Sequence, residues 1–346
     1  MSSHRHNQCP CYDMSISVNL HDFAITVCYR PIQVLKEKQH LVTSLLHQAS
    51  YRVAQFDNQR LNIKKDDILW IMDNANWFPV VCRQLETTPL QERPFTVIWH
   101  TEPLPPPKSA GMPHPRLHFR EIVKILLEHR QATDVYTNHS RLRALKEKKI
   151  PDLLVVSTPA RQQFMEENGF DSTYVPLGYH CAEYGYDMGL ARDIDVLFLG
   201  ALVIPRRKKL LKTINREGIH LVIRGSWSDP ALWGDERTQL LNRTRIFLNL
   251  PRYAGELSGA RFLLGMANRA MVISEPVYEP GEYIPGKHYV SASPDEMPGI
   301  IDYYLTHDEE RERIASAGHQ LVTQELTMER SMNIILNLIE MRMKNR

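Results

Sequence analysis

No stretch of this sequence stays apolar for the roughly 18 to 20 residues that a membrane-spanning helix needs, which excludes that class of anchor. The polar start, Met1 to Asp13, also lacks the apolar core of a secretory signal, so the expectation is a cytoplasmic protein without a transmembrane segment. An excess of one charge is missing too. Lys and Arg number 42 against 40 Asp and Glu, a net of +2, which gives no motive for a nucleic-acid partner. Cysteine is scarce: Cys9, Cys11, Cys28, Cys82 and Cys181 are odd in number and scattered, which suits a reducing compartment better than a disulfide framework. No internal repeat stands out in the 346 residues, a length that accommodates two domains with separate cores.

The earliest group of metal-ligand types is His4, His6, Cys9 and Cys11. No strand or helix is predicted beside them to hold a coordination geometry, so a flexible tail is the simpler reading. No metal site is assigned.

What the chain does contain is an alternation of short apolar runs with helical patterns. Strands are predicted at Phe23 to Tyr29, Arg52 to Phe56, Ile68 to Met72, Phe95 to Trp99, Thr133 to Thr137 and Asp152 to Ser157. Amphipathic helices are predicted at Val34 to Ala49, Arg116 to Arg130 and Arg141 to Lys149, with a further one opened by Thr158 and Pro159 and stopped at Gly169. Ser172 to His180 reads as strand, proline and glycine turn, and with the glycine and acidic residues up to Asp193 it is the candidate link between domains. The rhythm then restarts with strands at Asp195 to Leu199, Ile219 to Ile223, Ile246 to Leu250 and Met271 to Ile273. Ser293 to Glu296 spells a capped helix start, and Asp308 to Leu321 and Met328 to Met343 read as closing helices. This is an α/β chain with two parallel sheets: 14–180, then 181–325, then a C-terminal helix over 326–346 that can pack back on the first domain.

Several loops sit where a parallel sheet collects ligands, at the carboxyl ends of strands and at helix N-termini. The predicted strand ending at Leu199 is followed by Gly200 and by Arg206, Arg207, Lys208 and Lys209 at the start of a helix. Cations there oppose the helix dipole, so a bound anion is a motive for placing them, against the plainer reading of a solvated basic turn. Gly225 and Arg252 follow the next two strands. In Gly255 to Tyr283, Ser258 and Gly259 open a helix, and the strand after it runs into Glu275 and Glu279. In the first half, His100 and Glu102 lead into a proline-stiffened loop. A histidine there can orient a substrate or handle a proton, or simply bond to nearby backbone. Arg141, Arg143, Lys146, Lys148 and Lys149 make a basic helix, usually only a solvated face, that could also touch anionic lipid headgroups. Asp193 and Asp195 form D-x-D before a strand, where they read as edge residues.

The second half, with VLFLGA and its basic run, RIFLNL, ARFLLGMANRAMVISEP and PGKHYV followed by DEERERIASAGHQ, resembles the nucleotide-sugar-binding domain of family-4-like GT-B glycosyltransferases, in the branch with spore-coat maturation proteins. TYVPLGYH and VIWHTEPLP are similar to that family's inter-domain and acceptor-side segments. The resemblance implies two Rossmann-like domains facing across a cleft, with a nucleoside-diphosphate sugar held mainly by the second and no metal required. It places Glu256 on the donor sugar, the Ser258 and Gly259 amides on sugar and phosphate, and the cationic phosphate contacts among Arg206, Arg207 and Lys209. Arg261 falls on a binding arginine of the branch, Gly200 and Gly225 line the loops, and His100 falls on the active-site histidine.

The family's second glutamate, eight positions after Glu256, is here Leu264, which cannot accept hydrogen bonds from a ribose. Glu275 and Glu279 are the nearest replacements. The implied function is a retaining transfer of a sugar to an unknown acceptor, whether saccharide, protein or lipid. The alternative, motivated by Leu264, is a degenerate GT-B protein that binds a partner or nucleotide without catalysis.

Overall fold

A strand followed by a helix can return to its sheet only in parallel, so alternating short apolar runs and helices wind into parallel sheets. The computed structural model of the protein describes residues 22–28, 41–55, 67–72, 79–114, 135–202, 205–215, 219–225 and 232–345, with a few single positions between them. The first sheet holds β1 (Ala24–Cys28), β2 (Arg52–Gln55), β3 (Ile68–Met72), β4 (Phe95–His100), β5 (Leu153–Val156) and β6 (Ser172–Tyr174), in the order β2-β1-β3-β4-β5-β6. Every pairing is parallel. Strands β3, β4 and β5 are buried along their whole length, which is why they read as unbroken apolar runs rather than alternating ones.

The second sheet holds β7 (Ile194–Leu199), β8 (Leu221–Arg224), β9 (Thr244–Asn249), β10 (Met271–Ser274) and β11 (Val290–Ser291), also parallel, in the order β11-β10-β9-β7-β8. Counted from β8, this is the winding of the first sheet's first five strands. The chain reverses its direction of travel between β7 and β9, and a crevice forms at the carboxyl ends of strands where that happens. A core of Val196, Phe198, Ile246, Leu248, Met271 and Ile273 packs one face of this sheet against flanking helices.

Two compact units result: one has the first sheet plus the chain from Glu329 onward, the other runs from Gly178 to Met328. The final helix, Met328–Lys344, buries Met332, Ile335, Leu336 and Ile339 at helical spacing. It is tied to its own unit by Ser331 Oγ to the Pro176 carbonyl (2.8 Å) and by Arg342 to Asp171 (2.7 Å). The second unit's first and last residues are stitched together by Tyr179 N–H to Leu326 O (2.7 Å) and Met328 N–H to Tyr179 O (2.8 Å). Gly178 permits this approach, since a Cβ there would lie 2.4 Å from the Met328 Cα and 2.5 Å from the Thr327 carbonyl oxygen. Backbone cannot yield as a side chain does. Gly178→Ala is therefore expected to destabilise the protein by about 1–3 kcal/mol, as overpacking does, read as a lower midpoint in urea.

Local details correct several expectations. Residues from Val135 belong to a helix, Val135–Glu147, not to a strand, because Val135, Asn138, Leu142 and Leu145 form a buried helical stripe that overrides the β-branched residues. Thr158 does cap the Pro159–Glu167 helix, accepting from the Arg161 N–H at 3.2 Å. Ser258 stands at the cap of the Gly259–Ala267 helix, but its side chain makes no capping bond. Ser293 and Glu296 do bond to each other (2.6 Å), closing a turn ahead of a helix that begins only at Met297.

Among the described residues, Cys28 and Cys82 are free. The early His and Cys cluster and most of Arg116 to Arg130 lie outside the described residues. Among the described residues no helix is long and apolar enough to cross a membrane.

Candidate functional site

Four loops meet at the carboxyl end of the second sheet, and two glycines allow the closest approach. Gly200, just past β7, has φ of +153°, and a Cβ on it would lie 3.0 Å from Arg261 Nη1. A Cβ on Gly225, just past β8, would lie 2.7 Å from the Gly200 carbonyl. These two strand ends thus pack backbone against backbone.

Arg261, on the Gly259–Ala267 helix, spends its guanidinium on this framework. Nε donates to Asn249 Oδ1 (3.0 Å), Nη2 to the Leu248 carbonyl (2.6 Å) and Nη1 to the Leu199 carbonyl. Its plane lies over the rings of Phe198 (4.9 Å) and Phe247 (5.3 Å). Burial, reinforced by the charge of Arg207, pulls its pKa down to about 9. The residue therefore ties the ends of β7 and β9 at the switch point.

The helix Pro205–Ile214 supplies the remaining cations. Arg207 is buried and points its Nε at the Leu250 carbonyl (2.7 Å), with burial and then Arg252 lowering its pKa to about 10. Arg206 is different. Its Nη1 donates to the Pro251 carbonyl (3.3 Å) and its Nη2 to Glu275, yet a third of its side chain faces solvent. Lys209 and Lys208 are exposed on the same first turns. Exposed cations on the first turns of a helix stand where an anion is favoured.

The carboxylates are placed less alike than the sequence suggests. Glu256 is buried, and its Oε2 accepts from the Arg252 N–H at 3.1 Å. Glu275, just past β10, is buried with one oxygen on Arg206 and the other without a hydrogen-bond partner; its pKa is raised by burial, against the pull of Arg206. Glu279 is exposed at a positive φ of 48°. A hydrogen bond from the Tyr278 N–H to the Gly255 carbonyl (2.9 Å) holds the Glu275 to Glu279 loop against the loop that carries Glu256. Leu264 is half-buried beside Phe262, Leu263, Gly265 and Met266, which are buried, and so extends an apolar face. Asp193 and Asp195 sit at the opposite, N-terminal end of β7, on Arg243 and on Arg245 (3.0 Å).

The sequence reading thus has most of its second-half residues in one place: Gly200, Arg206, Lys209, Gly225, Glu256, Ser258, Gly259, Arg261 and Glu275 all lie at the strand ends or on the helices that start there. It passed over Asn249, whose amide bridges Arg261 and Ser274 Oγ (2.9 Å); a buried asparagine ending an apolar strand was the available signal.

His100 belongs to the first unit. It ends β4 with 1% exposure, and its Nδ1 has no partner. Burial, then the charge of Arg161, pushes its pKa down to about 3, so the imidazole is neutral at physiological pH. Arg161 itself braces the adjoining loops through Ser157 Oγ (2.6 Å) and the Thr101 carbonyl (2.8 Å). A folded-state pKa below the unfolded value means that the unfolded chain binds more protons below pH 6.5, so stability falls as pH falls. Between pH 6.5 and 5 this histidine accounts for about 2 kcal/mol of lost stability. Urea titrations at both pH values are expected to show that loss reduced in His100→Gln; equal losses would mean that the imidazole is not held neutral.

On the same unit, the basic helix lines a cavity of about 320 Å³ with His139, Arg143, Lys146, Glu147, Asn168 and Phe170. Its charge is partly neutralised, Arg143 by Glu147 (3.2 Å) and Lys148 by Glu86 (2.6 Å).

Residues 206–337 match the family model described as glycosyl transferase-like. No curated protein matches the chain by sequence. Among solved structures the chain is similar to a mutant of TarM from S. aureus in complex with Fondaparinux, alpha-GlcNAc-glycerol and UDP, at 13% identity and a TM-score of 0.56 over 80% of this chain. It spans only 56% of that chain. HepE from Anabaena, in complex with UDP, gives a TM-score of 0.55 at 12% identity, covering 92% of this chain and all of HepE. Sucrose-phosphate synthase from Thermosynechococcus elongatus gives 0.58 at 12% identity over 94% of this chain and all of its own. At such identities the likeness is one of fold.

Proposed function

From a glycosyl transferase-like segment over residues 206–337, in a chain with the GT-B glycosyltransferase fold, we propose a protein that moves a sugar from a nucleoside-diphosphate donor to an acceptor, with retained configuration and without a metal ion. The observation that carries this is Arg206. It stands one-third exposed on the first turn of the helix that follows β7, at the carboxyl end of the sheet.

As the C1–O bond to the diphosphate breaks, negative charge grows on the leaving oxygen. Arg206, Lys209 and the helix N–H groups are assigned to stabilising it. The acceptor oxygen bonds to C1 from the departing side, and its proton passes to the leaving phosphate, so no protein nucleophile is needed. Glu256, with one oxygen fixed by the Arg252 amide, is assigned to the donor sugar's hydroxyls, with the Ser258 and Gly259 amides beside it. Arg261 acts by holding the strand ends. A neutral His100 suits an orienting hydrogen bond on the acceptor side better than a base. A cytoplasmic location belongs to the same proposal, as does peripheral membrane contact through the basic helix, which liposome flotation with and without anionic lipid tests.

The direct test is a thermal-shift panel of uridine, guanosine, adenosine and thymidine diphosphates, each with and without magnesium. A ligand at a hundred times its Kd stabilises by about 2.7 kcal/mol, a shift of several degrees at this size. One diphosphate acting independently of magnesium is the expected result. No shift with any of them would favour the non-catalytic reading that Leu264 motivates.

A further inference from the structure

The geometry points to Glu275 as a positioning residue for the donor, acting through Arg206: the incoming diphosphate takes Arg206 away from the Glu275 carboxylate, which then takes up a proton. This rests on the reading of Arg206 as the diphosphate's ligand. Glu275 is 2% exposed; one oxygen is held by Arg206, and the other is shut off from solvent without a partner. The arginine side chain is 33% exposed. An anion from solvent therefore reaches the cation and not the carboxylate. A closed Glu275 oxygen is also out of reach of a ligand hydroxyl, which separates this role from the ribose contact suggested by sequence.

Among the described residues Glu275 makes one ion pair, with Arg206. Arg206 and Arg207 face it from the Pro205–Ile214 helix. Arg207 is committed to the Leu250 and Ala201 carbonyls and is itself faced by Arg252 and Glu256. Burial already holds the Glu275 carboxyl above the usual range, and losing Arg206 removes an influence that keeps it down. The bound state then carries one more proton than the free state, taken from solvent and returned when the diphosphate leaves. With a higher pKa in the bound state, donor affinity rises as pH falls through the window between the two pKa values, by about tenfold per pH unit. Outside that window it is flat.

Calorimetry of the whole protein tests this, using UDP-glucose, ADP-glucose, GDP-mannose and dTDP-glucose, whose substituted diphosphates do not titrate near neutrality. Titrations in buffers of different ionisation enthalpy are expected to show uptake approaching one proton per donor in the wild type. Glu275→Gln frees Arg206 of its competitor. It is expected to bind the same donor more tightly at alkaline pH, by about tenfold for each pKa unit of the wild-type shift, and without proton uptake. Binding with no uptake at any pH from mildly acid to mildly alkaline overturns this inference alone. Weaker binding by the variant does so too, because it would mean that the carboxylate touches the donor. No binding of any donor to the wild type overturns the inference together with the transferase reading. The wild-type measurement stands whether or not the variant folds.

Discussion

Arg206→Ala is expected to lower kcat/KM for sugar transfer by about a hundred- to a thousandfold, the usual loss when one preorganised group facing a developing charge is removed. The side chain's structural contacts are one carbonyl at 3.3 Å and the Glu275 carboxylate. The variant also strands a buried carboxylate, and a buried charge deprived of its partner costs about 3–5 kcal/mol. Loss of activity by unfolding is separated from loss of chemistry with the double variant Arg206→Ala, Glu275→Gln. That protein is expected to recover most of the stability and none of the transfer, measured as denaturation midpoints beside initial rates of donor turnover. Recovery of turnover would place leaving-group stabilisation elsewhere, on Lys209 or on the helix amides.

Arg261→Met is expected to act on stability first. Methionine keeps much of the packed volume but leaves the Leu199 and Leu248 carbonyls and Asn249 Oδ1 without their donor. Buried acceptors left unpaired cost about 1–3 kcal/mol each, partly relieved by water and relaxation, so a total near 4 kcal/mol is expected. The contacts over Phe198 and Phe247 go as well. A denaturation midpoint close to the wild type, with donor binding abolished, would instead mean that Arg261 meets the ligand directly. Lysine at this position is expected to be a poor rescue, because a single ammonium cannot serve three acceptors in the plane of a guanidinium.

The second half was more legible than the first, for a reason visible in its elements. Strands β7, β9 and β10 are apolar runs bounded by glycine, proline or charge, and each ends in a loop with chemistry in it. Periodicity and breakers therefore located the strand-end loops to within a few residues. The same signals failed at Thr133 to Thr137, where three β-branched residues outweighed a helical stripe that is completed only by Leu142 and Leu145. They also set the helix after Ser293 a turn too early, because a serine and a glutamate three apart bond equally well around a turn.

Sequence alone determined the α/β class, the parallel winding and the residues gathered at the strand ends, because these follow from the spacing of apolar side chains and from what can connect two strands. It could not determine which of several arginines faces solvent. Arg206, Arg207 and Arg261 share a chemistry, and their difference lies in what surrounds each: open water and a buried carboxylate for the first, strand-end carbonyls for the other two. Nor could it separate Glu256, fixed by a backbone amide, from Glu275, paired with a cation and closed to ligands. Those assignments were made by tertiary structure, since burial and partnership are set by residues 40 to 70 positions away in the chain, as Leu250 is from Arg207 and Glu275 from Arg206.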